Sequence, residues 1–140
     1  MLDRRIERNG ILDTAKELGV AIIAYSPLEQ GLLSGKFHKN PELIKGIAGP
    51  RRLSGSFKPA SLQRTQPLID RLDDLAGKYG ASPSQVALNW LIHANGETVF
   101  AIPGASKPHH AEENVRAMTF ALLPDELREL AELSELCGRR

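Results

Sequence analysis

The sequence predicts an α/β fold built on two parallel strands, with flanking helices and a long loop after the first strand. Three observations carry this. Val20–Tyr25, an unbroken apolar run, and Thr98–Ile102 read as strands buried on both faces, the pattern of a parallel sheet rather than of a half-wet one. Around them, apolar residues recur at helical spacing. Residues 26–60 hold four prolines and five glycines with no sustained period, so they read as a long loop with short helical turns.

Residues 3–18 are expected to form the first helix, with Ile6, Leu12, Ala15 and Leu18 sharing a face and Gly19 at its left-handed cap. Ser26-Pro27 stops the first strand. A second helix covers roughly 61–79, with Leu68, Ile69, Leu72, Leu75, Ala76 and Tyr79 on one stripe. The next starts at Ser82-Pro83-Ser84-Gln85, where Ser82 can cap, Pro83 suits the first turn and Gln85 can close a capping box. Its apolar members include Val86, Ala87, Trp90 and Leu91. The second strand ends at Pro103-Gly104. Helices follow near 108–117 and 124–136, the last with Leu127, Leu130 and Ala131 facing inward. The order is α-β-loop-α-α-β-α-α. Two parallel strands alone leave faces and edges without cover, so neighbouring strands are expected outside this chain.

The bulk composition excludes several function classes. A formal net charge of +1 offers no footprint for nucleic acid or an acidic membrane surface. No apolar run approaches a membrane span, and the segment MLDRRIERNG lacks the apolar core of a secretion signal. The single cysteine, Cys137, makes no internal disulfide. Together these point to the cytoplasm.

Each strand runs into a segment suited to phosphate. After the first comes Ser26-Pro27-Leu28-Glu29-Gln30-Gly31-Leu32-Leu33-Ser34-Gly35-Lys36, which offers hydroxyls, close backbone approach and an ammonium group. It is not a P-loop: it is one residue short, and Phe37 stands where magnesium needs a hydroxyl. After the second comes Pro103-Gly104-Ala105-Ser106-Lys107-Pro108, running into a helix start whose N–H groups favour anions. Either segment alone also fits a structural turn. Paired sites after consecutive strands match the phosphate loops of eight-stranded barrels.

At these residues the chain resembles the aldo-keto reductase family. Ala24-Tyr25-Ser26-Pro27-Leu28, then Gly31-Leu32-Leu33 and Gly35-Lys36, looks like strand seven and its loop. Ile102-Pro103-Gly104-Ala105-Ser106, followed by Glu113-Asn114, looks like strand eight and its loop. The resemblance covers nearly all of the chain. It implies that residues 1–140 are a C-terminal fragment of a (β/α)8 TIM barrel, one partial domain carrying strands seven and eight.

The family's reaction is hydride transfer between NADPH and a carbonyl. By resemblance, Tyr25 would stack on the nicotinamide. Ser26, Pro27, Leu28 and Gly31 would line the pyrophosphate, with Lys36 nearby. Gly104, Ser106 and Lys107 would approach the adenosine phosphate, and Glu113 and Asn114 would hold the adenine edge. Of Arg51 and Arg52, Arg52 is favoured to close over a phosphate. His110 stands where many members place an arginine for the 2′-phosphate, so NADPH is expected and NAD stays open. The family's catalytic Asp, Tyr, Lys and His belong to earlier strands, and none of their motifs occurs here. The chain alone is therefore expected to be inactive. The expected partners are a small carbonyl substrate, in the complete enzyme, and the remaining barrel. The alternative is a non-catalytic nucleotide-binding module resembling potassium-channel β subunits.

Other residues have plain readings. His93 reads as a helix-end residue and Trp90 as core. His109 and His110 diverge on a helix and have no third ligand at metal spacing. Cys137 has no neighbouring base to activate it.

Overall fold

A computed structural model describes residues 1–49 and 54–138 of the chain. The expected first helix is two. Helix α1 spans Arg5–Arg8 and α2 spans Ile11–Glu17. The break falls at Asn9-Gly10, where Gly10 takes a positive φ of 81° and the Asn9 side chain accepts from the Ile11 N–H at 3.2 Å. A stripe analysis alone passes over such a turn. Leu12 and Ala15 are buried as expected, but Leu18 lies outside.

Strand β1 spans Ile22–Tyr25 and β2 spans Val99–Ile102, both shorter than their apolar runs. They pair in parallel, Ile22 with Val99 through Tyr25 with Ile102. Their burial alternates, which corrects the expectation of burial on both faces. Ile22, Ala24, Val99 and Ala101 turn towards the helices, whereas Ile23, Tyr25, Phe100 and Ile102 are exposed. The apolar run asks for two covered faces, and this chain supplies helices for one.

Residues 26–60 are built more closely than a loop. A 3-10 turn over Glu29–Ser34 leads into the short helix α3, Lys36–Lys39, and further 3-10 turns cover Pro41–Gly46 and Gly55–Phe57. Leu32, Leu33, Phe37 and Phe57 pin the segment to the core, with the two phenyl rings edge to face at 5.0 Å.

Helix α4 spans Pro59–Tyr79 and buries the expected stripe, with Tyr79 at its margin. Helix α5, Pro83–His93, opens with the expected capping box. Ser82 Oγ accepts from the Gln85 N–H, and Gln85 Oε1 accepts from the Ser82 N–H at 2.8 Å. Helix α6 spans Pro108–Arg116 and α7 spans Pro124–Cys137, where Leu130 is fully buried and Leu127 and Ala131 are half-buried. One apolar cluster joins Leu68, Leu72, Val86, Trp90, Val99 and Leu130 with the pinned loop. The helices thus form a layer on one side of the two strands, and both strands end at the same edge.

Candidate functional site

The parallel register sets the site. Because Tyr25 lies opposite Ile102, the segments beginning at Ser26 and Pro103 leave the sheet side by side. Tyr25 ends its strand 79% exposed. Pro27 is buried just beyond it, so Pro27 anchors the turn while Ser26 stays accessible.

The backbone after β1 is strained. Ser26, Glu29 and Gln30 take positive φ values of 48°, 46° and 57°, and they are the non-glycine residues that do so among the described residues. Such conformations cost about 1–2 kcal/mol each and concentrate at functional turns. Part of the backbone is committed within the turn: the Glu29 N–H donates to the Ser26 carbonyl and the Gly31 N–H to the Leu28 carbonyl, both at 2.9 Å. Gly31 carries no side chain, and the space a Cβ would take is lined by Lys36 and Phe37. A Cβ there would lie 3.7 Å from the Lys36 Nζ, so the lysine folds back over the glycine, its ammonium also over the Phe37 ring at 4.9 Å. Gly31 and Lys36 are thereby brought together, with the ammonium group beside the glycine backbone. These residues fit an anionic dinucleotide.

The segment after β2 is exposed from Gly104 to Lys107 and runs into α6. The His110 Nδ1 accepts from the Ser106 N–H at 3.4 Å and lies 3.3 Å from the Ser106 hydroxyl. A backbone N–H only donates, so the neutral ring carries its proton on Nε2. The histidine rings of 109 and 110 do not diverge: their centroids stand 4.3 Å apart at 69°. The reason is the start of the helix, where His110 is turned back towards Ser106. His110 and Asn114 are half-buried one turn apart on α6, and Ser106 meets that face through His110. Glu113 is exposed, and its carbonyl accepts from Gln85 Nε2 at 2.9 Å, tying α6 to α5. Arg51 and Arg52 lie outside the described residues. Among the described residues, no cluster of His, Cys, Asp and Glu has the makings of a metal site, and no helix is long and apolar enough to cross a membrane.

Three polar residues outside the expected site hold this scaffold. Asn89, fully buried, donates to the Ala117 and Phe120 carbonyls at 2.9 and 2.7 Å. Glu126 accepts from Lys78 Nζ at 2.6 Å, from the Tyr79 hydroxyl at 2.5 Å and from the Leu123 N–H at 2.8 Å. Burial pushes the Glu126 carboxyl up, but these hydrogen bonds outweigh it and hold the group below its ordinary value. The same bond from its side raises the Tyr79 hydroxyl, so Tyr79 is a clasp between α4 and α7. The third is His38, bonded to Thr65. A lone asparagine in the apolar α5 was the one signal available in the sequence. His93, as expected, sits in the last turn of α5, its Nδ1 2.8 Å from the Asn89 carbonyl.

The model of the Aldo/keto reductase family matches residues 1–135. An aldo-keto reductase of Strobilurus tenacellus is 37% identical over the whole chain, which spans 42% of that protein. A probable pyridoxal reductase of Schizosaccharomyces pombe is 36% identical over 92% of the chain and 39% of its own length. Among solved structures, a thermostable aldo-keto reductase crystallised with the inhibitor epalrestat superposes with a TM-score of 0.63 at 27% identity, covering 94% of this chain and 36% of that one. The chain thus spans about two-fifths of the length of these relatives, and its two-stranded α/β unit corresponds to part of a (β/α)8 barrel.

Proposed function

The chain belongs to the aldo-keto reductase family, and on that premise we propose that it forms the dinucleotide-binding part of a reductase converting aldehydes and ketones to alcohols. One observation carries the reading: the β1–β2 register sets two phosphate-suited segments side by side, beside an exposed tyrosine ring. NADPH is the proposed cofactor, supplying hydride when bound, with NAD the alternative.

Tyr25 stacks against the nicotinamide and fixes the face presented. Ser26, Leu28 and Gly31 line the pyrophosphate, and Lys36, held over Gly31, balances its charge. Ser106, Lys107 and the Nε2–H of His110 face the adenosine phosphate, and Glu113 and Asn114 the adenine. Gly104 lets that group approach the backbone. Binding charge and orienting a ring are what these residues can do. Proton delivery to a carbonyl needs a donor within reach. Tyr79 is no such donor, because its hydroxyl is held by Glu126 in the helical layer. The proton donor of the complete reductase therefore belongs to the rest of the barrel, which is the proposed partner of this unit.

The test is to titrate the 140-residue chain with NADPH by fluorescence and to assay 4-nitrobenzaldehyde reduction. Feeble binding and no turnover are expected. Adding the preceding barrel portion of a relative should restore turnover, and Tyr25→Ala should remove it again. Turnover by the lone chain, lost on Tyr25→Ala, would refute the division of labour. Tight NADPH binding with no complementation would favour the non-catalytic module.

A further inference from the structure

His38 lies in α3, two residues beyond Lys36, and reaches across to α4. Its Nε2 is 2.8 Å from Thr65 Oγ1. The Thr65 hydroxyl is itself 2.9 Å from the Ser61 carbonyl and 3.2 Å from the Leu62 carbonyl. The hydroxyl proton can go to either carbonyl, leaving Oγ1 to accept from His38, whereas the opposite arrangement would put the ring proton on Nδ1, which is buried without a partner. Nε2 is therefore the donor, and Nδ1 carries the lone pair of the neutral ring. That Nδ1 is buried and has no hydrogen-bond partner. Protonation would place an N–H there with no acceptor, and a buried donor left unmet is costly.

We propose that His38 is a positioning residue for the 31–39 segment, docking α3 on α4 while neutral and releasing it on protonation. The surrounding charges do not reverse this. On α4, Asp70 favours the charged ring but is engaged by Gln66 at 2.7 Å, and Asp73 is engaged by Lys39 at 2.8 Å. On α3 itself, Lys36 and Lys39 disfavour a further positive charge. In the neighbouring 3-10 turn, Glu42 and Lys45 pair with one another at 2.5 Å. Burial holds the imidazole below its ordinary value, against Asp70 and the Leu62 carbonyl.

The sign follows. The docked state binds the proton less well than the undocked state. Docking is fully favoured above the free imidazole value of about 6.5 and weakens as pH falls below it. One proton gives at most about tenfold per pH unit, and the effect levels off below the lowered docked value. Gly35 and Lys36 move with α3, so dinucleotide affinity should fall in the same window. That consequence rests on the cofactor reading, whereas the docking does not.

The experiment is amide hydrogen exchange on the intact chain without cofactor, at pH 7.5 and 5.5, corrected for intrinsic exchange. The amides of His38, Lys39 and Asn40, which donate to Gly35 and Lys36 carbonyls, report on α3. Their protection should fall by up to about tenfold in the wild type. It should stay level in His38→Gln, whose amide can donate to Thr65 without titrating. Amides of Leu88–Leu91 in α5 should hold their protection in both. Equal loss in α5, equal loss in His38→Gln, or no loss in the wild type would each overturn the proposal. Should His38→Gln fail to fold, the wild-type ring decides: an Nε2–H tautomer titrating below 6.5 supports docking, and an Nδ1–H tautomer or a value at or above 6.5 overturns it.

Discussion

Asn89→Ala should destabilise the chain by about 3 kcal/mol, a large loss for one exposed-to-nothing amide. Asn89 is fully buried, donating to the Ala117 and Phe120 carbonyls at 2.9 and 2.7 Å and accepting from the Leu122 N–H at 3.4 Å. A made hydrogen bond nets only about 1 kcal/mol, but a buried group left without its partner loses about 1–3 kcal/mol. The two carbonyls dominate, and the long Leu122 contact adds least. Urea unfolding followed by circular dichroism and by Trp90 fluorescence measures the loss. Trp90 is the only tryptophan, is 1% exposed and adjoins the substituted residue. With an m-value of about 1.5 kcal/mol/M, the midpoint should drop by about 2 M. Asn89→Asp sharpens the test, because a carboxylate would face two carbonyl oxygens. Its folded value would be raised, so its penalty is present at neutral pH and relieved on acidification. A loss under about 1 kcal/mol in the alanine variant, or a pH-independent aspartate variant, would refute the reasoning.

Two other outcomes are expected. Glu126→Gln should cost about 1–2 kcal/mol at pH 7: Tyr79 and Leu123 donate to one carboxylate oxygen, which an amide oxygen can replace, but the amide NH2 would then face the Lys78 ammonium, and the charge and that acceptor are lost. The Glu126 carboxyl is held low in the fold, so its contribution is present above the ordinary carboxylate value of about 4.3 and lost as pH falls through the folded value. A wild-type to variant gap in urea midpoint that persists unchanged at pH 3 would contradict this. The bare sheet face should drive self-association of the isolated chain, because Ile23 and Phe100 are 64% and 55% exposed beside Tyr25 and Ile102. Light scattering on Ile23→Lys/Phe100→Lys should report the mass of a single chain, and a wild type already monodisperse at that mass would dispose of the idea.

Helices α4 to α7 were legible because their signals are local. Stripes, prolines in the first turn and the Ser82–Gln85 box all lie within a few residues of what they specify. The α1–α2 break was equally local at Asn9-Gly10 but weak against a favourable stripe. The strands misled in one respect: an apolar run declares that both faces need cover, not whether this chain provides it. In the site, the two segments were legible as motifs, and the register that joins them is a consequence of parallel pairing. The left-handed backbone at Ser26, Glu29 and Gln30 was not, since nothing in those residue types requires it. Nor were His38–Thr65 and Glu126–Tyr79, which couple residues far apart in sequence and form only when the helices pack.

That strained backbone bears on how the site is held. Three non-glycine residues in left-handed conformations cost about 3–6 kcal/mol together. The same segment buries Leu32, Leu33 and Phe37 almost completely, each worth about 1.5–3 kcal/mol. Burial thus offsets the strain without any ligand, and the turn should keep its shape in the free chain. The exposed residues proposed to meet the dinucleotide, Ser26 and Lys36, alternate with these anchors along the chain. An anchor can therefore be weakened without touching a proposed contact. Leu33→Ala should remove about 2–5 kcal/mol of local support while altering no residue proposed to meet the dinucleotide. If the turn is held as inferred, exchange protection of the Gly31, Leu33 and Gly35 amides should collapse in that variant while the Leu88–Leu91 amides of α5 hold. Protection unchanged at the turn would mean that something other than these buried side chains sustains the strain.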